Sequence, residues 1–127
     1  MFSHLMIGTN DLDRAKLFYD AVLGPLGVPA GFVDRHRIFW RTPAGVFSVS
    51  KPIDGQPATA ANGSTVGFAC SSAAQVDAWH AAGVAHGGST CEDPPGVREG
   101  AAGQMYLAYL RDPDGNKLCG LFRMPKA

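Results

Sequence analysis

Few residues in this chain have the chemistry for catalysis or metal binding, and they are scattered. Four histidines, His4, His36, His80 and His86, could move protons near neutral pH or ligate a metal. His36 and His86 fall in turns with no partner pattern. His80 lies on a helical stretch, as a face residue over a sheet edge. Three cysteines, Cys70, Cys91 and Cys119, are odd in number and far apart. That argues against a disulfide framework and against CxxC-type zinc binding, and fits a reducing cytoplasm. Cys119 sits in the run RDPDGNKLCGLFR, residues 111–123. It is either a small buried hydrophobe or a soft ligand or nucleophile. Arg98 and Arg123 could anchor an anion.

The elements that must position these groups come in two rounds. FSHLMIG, residues 2–8, suits a strand, and TNDLDRAKLFYDAVLGPLG then changes period. Leu12, Ala15, Phe18, Tyr19, Val22 and Leu23 recur at three- and four-residue steps, one buried helix face. Thr9, Asn10 or Asp11 caps it, and Gly24-Pro25 ends it. A shift of 61 residues repeats the pattern: STVGFAC, 64–70, is a second strand, and the helix after it opens with Ser72-x-x-Gln75. Trp79 falls on Phe18. Strands 37–42 and 46–50 flank the turn TPAG, and strands 104–111 and 117–123 flank DPDG. Each half therefore reads as β-α-β-β(-β). Module 1 covers about 1–53, a polar linker 54–63, and module 2 about 64–127. Residues 89–103, STCEDPPGVREGAAG, read as a long loop, either a cover for a binding site or a plain surface excursion.

Bulk properties exclude several partners. The 127 residues suit one domain. Lys plus Arg equals Asp plus Glu, 11 each, with no basic run, so a nucleic-acid partner is not expected. The N-terminus lacks the marks of a signal peptide, and no apolar run is long enough to span a bilayer.

The doubled strand-helix-strands pattern, HLMIGTNDLDRAKLFYDAVLGPLG and RDPDGNKL together resemble the vicinal oxygen chelate superfamily. That superfamily includes glyoxalase I, bleomycin-resistance proteins and extradiol dioxygenases. The resemblance covers essentially the whole chain, and PPGVREG…MYLAYLRDPDGNKL is similar to a glyoxalase-like branch. It implies an α+β fold of two βαβββ modules forming a curved, half-open barrel. It also implies a cup whose metal ligands, usually His or Glu, come from the first and last strands of each module. The metal polarises neighbouring substrate oxygens in such sites.

Carried onto this chain, those positions are His4, Thr65, Cys119 and, by strand parity, Ser48; a gapless alignment of the halves would give Val49 instead. His4 and Cys119 are two good ligands, below the three or four of a stable site. No tightly bound cofactor is therefore expected, only a weak divalent metal. His4 is also the candidate acid–base group. Parity places Lys117, Leu121 and Arg123 on the face of Cys119. It groups Ile38 with Trp40, and Tyr106 with Ala108 and Leu110. The expected pocket wall is Trp40, Ser48, Thr65, Arg98, Tyr106 and Arg123, with Phe39 and Tyr109 packed away from it. An organic anion or flat polar molecule suits that set. Two functions follow. One is a glyoxalase-like lyase or isomerase, related to lactoylglutathione lyase, with a degenerate metal site. The other is a metal-free protein that sequesters a small molecule as bleomycin-resistance proteins do. An iron dioxygenase fits less well, since no second His and no Glu stand at the ligand positions. A cytoplasmic homodimer is expected, with no membrane partner.

Overall fold

The computed structural model describes residues 1–125. Two βαβββ modules follow one another. Module 1 has β1 (His4–Gly8), α1 (Leu12–Leu23), a 3-10 turn (Gly24–Leu26), β2 (Phe32–Asp34), β3 (Arg37–Thr42) and β4 (Gly45–Ser50). Module 2 has β5 (Val66–Ala69), α2 (Ala73–Ala85), β6 (Ser89–Gly100), β7 (Gly103–Arg111) and β8 (Lys117–Arg123). Each forms a four-stranded mixed sheet, ordered β1-β4-β3-β2 and β5-β8-β7-β6, with the first strand parallel to the last.

Local chemistry explains the helices. The Asp11 carboxylate accepts the Arg14 amide at 3.0 Å and caps α1. Ser72 caps α2 by accepting the Gln75 amide at 3.1 Å. Gln75 returns the favour one residue earlier than a capping box requires, accepting from the Ser71 amide at 2.6 Å. On α1 the buried residues are Ala15, Phe18, Tyr19, Val22 and Leu23, the face that periodicity marks, with Leu12 partly buried beside them. On α2 Val76, Trp79 and Gly83 are buried.

The modules are joined helix to helix, α1 against α2; among the described residues no strand of one sheet pairs with a strand of the other. One aromatic core runs through both. Tyr19 meets Trp40 and Phe47, Phe47 meets Phe68, and Phe68 meets Trp79. Gly120 lets Trp79 lie flat on β8, since a Cβ there would come within 2.8 Å of the indole.

The turn after β7 is the second joint. Asp112 accepts from the Tyr19 hydroxyl at 2.5 Å, the Asn116 side chain at 2.9 Å, and the backbone amides of Asp114 and Asn116, each at 2.9 Å. Asp114 accepts from Thr9 at 2.6 Å, the Asn10 amide at 2.9 Å and Arg14 at 2.8 Å. The Asn116 amide donates to the Gly8 carbonyl at 3.0 Å. The DPDGN sequence thus pins module 2 onto the β1–α1 junction of module 1.

Residues 89–103 correct the sequence reading. They are not a loop: Ser89–Gly100 is β6, paired antiparallel with β7. The register slips between Cys91 and Gly96, around Pro94 and Pro95. β6 is an edge strand, where proline costs no ladder bond and a bulge absorbs the extra residues.

Candidate functional site

Strand register fixes which side chains share a face. In module 1 three rows cross the sheet on the face turned away from the helices. They are His4·Val46·Arg41, Met6·Ser48·Phe39·Phe32, and Gly8·Ser50·Arg37·Asp34. Leu5, Ile7, Phe47, Val49, Ile38 and Trp40 lie on the opposite, helix-covered face. In module 2 the corresponding rows are Gly67·Cys119·Tyr109·Cys91, Ala69·Leu121·Leu107·Gly96, and Arg123·Met105·Arg98, with Lys117 beside Arg111. Met6 stands opposite Ser48 as Gly67 stands opposite Cys119, so Ser48 is the counterpart of Cys119 and Val49 is not.

His4 is exposed, its Nδ1 2.7 Å from the Ser3 hydroxyl. Ser48 is fully buried, and its Oγ donates to the Leu5 carbonyl at 2.7 Å. Thr65 is exposed just before β5, two residues from Gly67 and on the same side. Cys119 is 6% exposed; burial pushes its thiol up to about 11, against the opposing hydrogen bond with Tyr109. Arg123 lies at the end of β8 on the Cys119 face, its guanidinium 3.9 Å from the Met105 sulfur. Arg98 faces the same way, but its guanidinium donates to the Asp93 and Pro94 carbonyls at 3.1 and 2.9 Å. It staples the β6 bulge.

Two wall residues read from the sequence belong to the other face. Trp40 is 1% exposed under α1, its indole donating to Asp20 at 2.9 Å. Tyr106 faces α2, its hydroxyl donating to Asp77 at 2.7 Å. Conversely, Phe39 and Tyr109, expected to pack away from the cup, lie on its faces. The signal was present in the turn. If Pro43 and Ala44 are its two central residues, Thr42 pairs with Gly45 and Phe39 with Ser48, which swaps Trp40 out and Phe39 in. The same count brings Arg37, Arg41 and Phe32 to the cup face. His80 does sit over the edge of its sheet, 3.0 Å from the Thr90 hydroxyl on β6, and burial lowers its pKa.

The faces are basic although the chain is neutral. Arg37, Arg41, Arg98, Arg111, Lys117 and Arg123 stand on them, six of the eleven Lys and Arg. Lys117 pairs with Glu92 and lies 4.8 Å from the centre of the Tyr109 ring. A crevice of about 620 Å³ opens beside β1, the β3–β4 turn and β5; His4 and Trp40 line it together with apolar groups including Phe2, Leu5, Phe47 and Phe68.

The four cup positions do not fit a divalent metal. Ser48 spends its hydroxyl on Leu5 and Thr65 is a neutral hydroxyl, which leaves only His4 and Cys119, below the three or four ligands of a stable site. Among the described residues no three His, Cys, Asp or Glu side chains gather where a metal could be held.

The family model for the Glyoxalase/Bleomycin resistance protein/Dioxygenase superfamily matches residues 1–119. The chain belongs to that superfamily. A glyoxalase/bleomycin resistance protein from Albidiferax ferrireducens T118 is 61% identical, with a TM-score of 0.95 over 96% of this chain and 98% of that one. A glyoxalase-related enzyme from Fulvimarina pelagi shares the fold at 19% identity and a TM-score of 0.73, covering 97% of this chain and 88% of its own. A lactoylglutathione lyase from Agrobacterium tumefaciens does so at 20% identity and 0.66, covering 96% and 92%. No curated protein matches the sequence. The superfamily's fold, two modules with open sheets, is the one the repeat implies. No helix among the described residues is long and apolar enough to cross a membrane.

Proposed function

We propose that this superfamily member binds a small molecule in its cup without a metal, as a homodimer. The observation that carries this reading is the pair Ser48 and Cys119. The two last-strand positions, where the superfamily pattern wants metal ligands, hold a buried hydroxyl already bonded to a carbonyl and a single buried thiol, with no carboxylate at either. A dication there would meet little compensating charge. A lyase or isomerase mechanism would rest its proton transfers on His4 alone. The three thiols, none in a disulfide, suit the cytoplasm. Zinc in tenfold excess is expected to move the melting temperature by less than about 1 °C, because a ligand that does not favour the folded state does not stabilise it. A rise of several degrees that disappears in His4→Ala would overturn the reading.

The open sheet edges support the dimer. Among the described residues β1 and β5 each have a partner strand on one side only. Phe2, Leu5 and Met6 beside that open edge are 70%, 38% and 40% exposed. A second copy laying its β5 along β1 would cover these residues and bring the two half-cups together. Met6→Glu is expected to convert a dimer to a monomer in light scattering at micromolar concentration. A wild-type monomer would contradict this.

A further inference from the structure

We propose that the ligand is an organic anion with a flat π body, held on the module 1 wall by Arg41 and Arg37 against Phe32 and Phe39. The proposal rests on reading these faces as a ligand cup, and it says which half of the cup selects the ligand.

The cations of the two modules differ in what they have left to offer. In module 2, Lys117 is paired with Glu92, Arg98 donates to two carbonyls of its own bulge, and Arg111 donates to the Gly115 carbonyl. Their hydrogen-bonding capacity is partly committed to holding β6 and the β7–β8 turn; Arg123 is the exception, its guanidinium 3.9 Å from the Met105 sulfur, and what sets Arg41 apart from it is the pair of rings beneath its guanidinium. In module 1, neither Arg37 nor Arg41 has a carboxylate partner among the described residues. Asp34 lies directly across from Arg37, yet its carboxylate goes to Arg35 at 3.4 Å. The Arg37 Nε is buried with no hydrogen-bond partner. A buried donor left unpaired is costly unless a ligand or water completes it.

The aromatic component is equally specific. Phe32 and Phe39 are cross-strand neighbours with centroids 5.5 Å apart and planes at 25°. The Arg41 guanidinium lies 5.2 Å from one ring and 5.8 Å from the other. That contact orients the guanidinium without satisfying its N–H groups, so the fork stays available to a carboxylate. Arg37 and Arg41 flank Phe39 on the same face, each two residues away and so about 7 Å along the strand. Phe32 is 46% exposed, an open ring surface beside the cations. His4 ends the row that Arg41 begins, two strands or about 10 Å across. A carboxylate at the arginines with a ring over Phe39 would therefore point its far end toward His4. A folded nucleic acid is a poor alternative for a chain of zero net charge.

The test uses 2-naphthoate, its neutral amide and acetate, titrated calorimetrically into the full-length protein. Naphthoate is expected to bind at millimolar concentration or tighter, and the amide and acetate at least about tenfold more weakly, since each lacks one of the two recognised features. Arg41→Gln and Phe39→Leu should each weaken naphthoate about tenfold, while Lys51→Gln, which removes the same charge elsewhere, should not. Circular dichroism of each variant separates lost binding from lost fold. Equal binding of amide and carboxylate would overturn the anion claim. Loss of binding in Arg123→Gln but not in Arg41→Gln would leave the cup as a ligand site and overturn its assignment to module 1. No naphthoate binding at 10 mM, about ten times the weakest affinity expected of a charge-assisted contact, would overturn the inference outright. Retained zinc would sink the metal-free reading without touching this one.

Discussion

Trp79→Ala is expected to destabilise the protein by roughly 3–5 kcal/mol, as deletion of a large core aromatic does. Trp79 is fully buried, lies flat on the bare backbone of Gly120 and meets Phe68 at 6.4 Å between centroids. It ends the aromatic chain that crosses from module 1 to module 2, so the void would open where the modules are held together. Its indole N–H is buried without a partner, so Trp79→Phe should cost much less, removing volume but also an unsatisfied donor. Urea unfolding of both variants checks the pair. A loss below about 1 kcal/mol for the alanine variant would mean that Trp79 does not carry the core.

Asp112→Asn is expected to cost about 3 kcal/mol, because one amide cannot accept from the four donors that converge on this carboxylate. The pH dependence has a definite sign. Burial raises the Asp112 pKa, against the hydrogen bonds from Tyr19 and Asn116 that lower it. With the folded value above the unfolded one of about 4, the residue's contribution is fully present below the unfolded pKa. It is lost as pH rises through the folded pKa. The asparagine does not titrate. The deficit of the variant should therefore be larger at pH 4 than at pH 7, measured by urea unfolding at both. A deficit larger at pH 7 would mean that the bonds outweigh burial and hold the folded carboxyl below its unfolded value.

That network also marks the limit of what the sequence discloses. Periodicity was enough for α1, whose apolar face is the buried one, and the repeat at 61 residues with the Ser72 cap marked α2, where Trp79 falls on Phe18. The doubled modules were legible for the same reason. The role of DPDGN was not, since Thr9, Arg14 and Tyr19 are about a hundred residues away and nothing local announces them. β6 was hidden by Pro94, Pro95 and Gly96, which read as breakers but are tolerated at a bulged sheet edge. At the site, the face of Cys119 and the choice of Ser48 over Val49 were within reach of strand alternation. Which face Trp40 and Phe39 take was not legible, because an aromatic residue suits a pocket or a core equally well. Only the pairing across Pro43-Ala44 separates Trp40, bonded to Asp20 inside, from Phe39 outside. Arg98 misled for another reason. A lone arginine in the sequence does not reveal that its donors are taken by carbonyls four and five residues back.

The central claim is that the cup works without a metal, and the metal content of the native protein tests it most directly. Purified protein dialysed against a chelator and then against metal-free buffer is expected to carry well under about 0.1 equivalents of any divalent metal, since two protein ligands, below the three or four of a stable site, cannot retain one. Near-stoichiometric zinc, iron, nickel or manganese that survives the chelator, and that is missing from His4→Ala, would contradict the account and make Cys119 a substituted ligand.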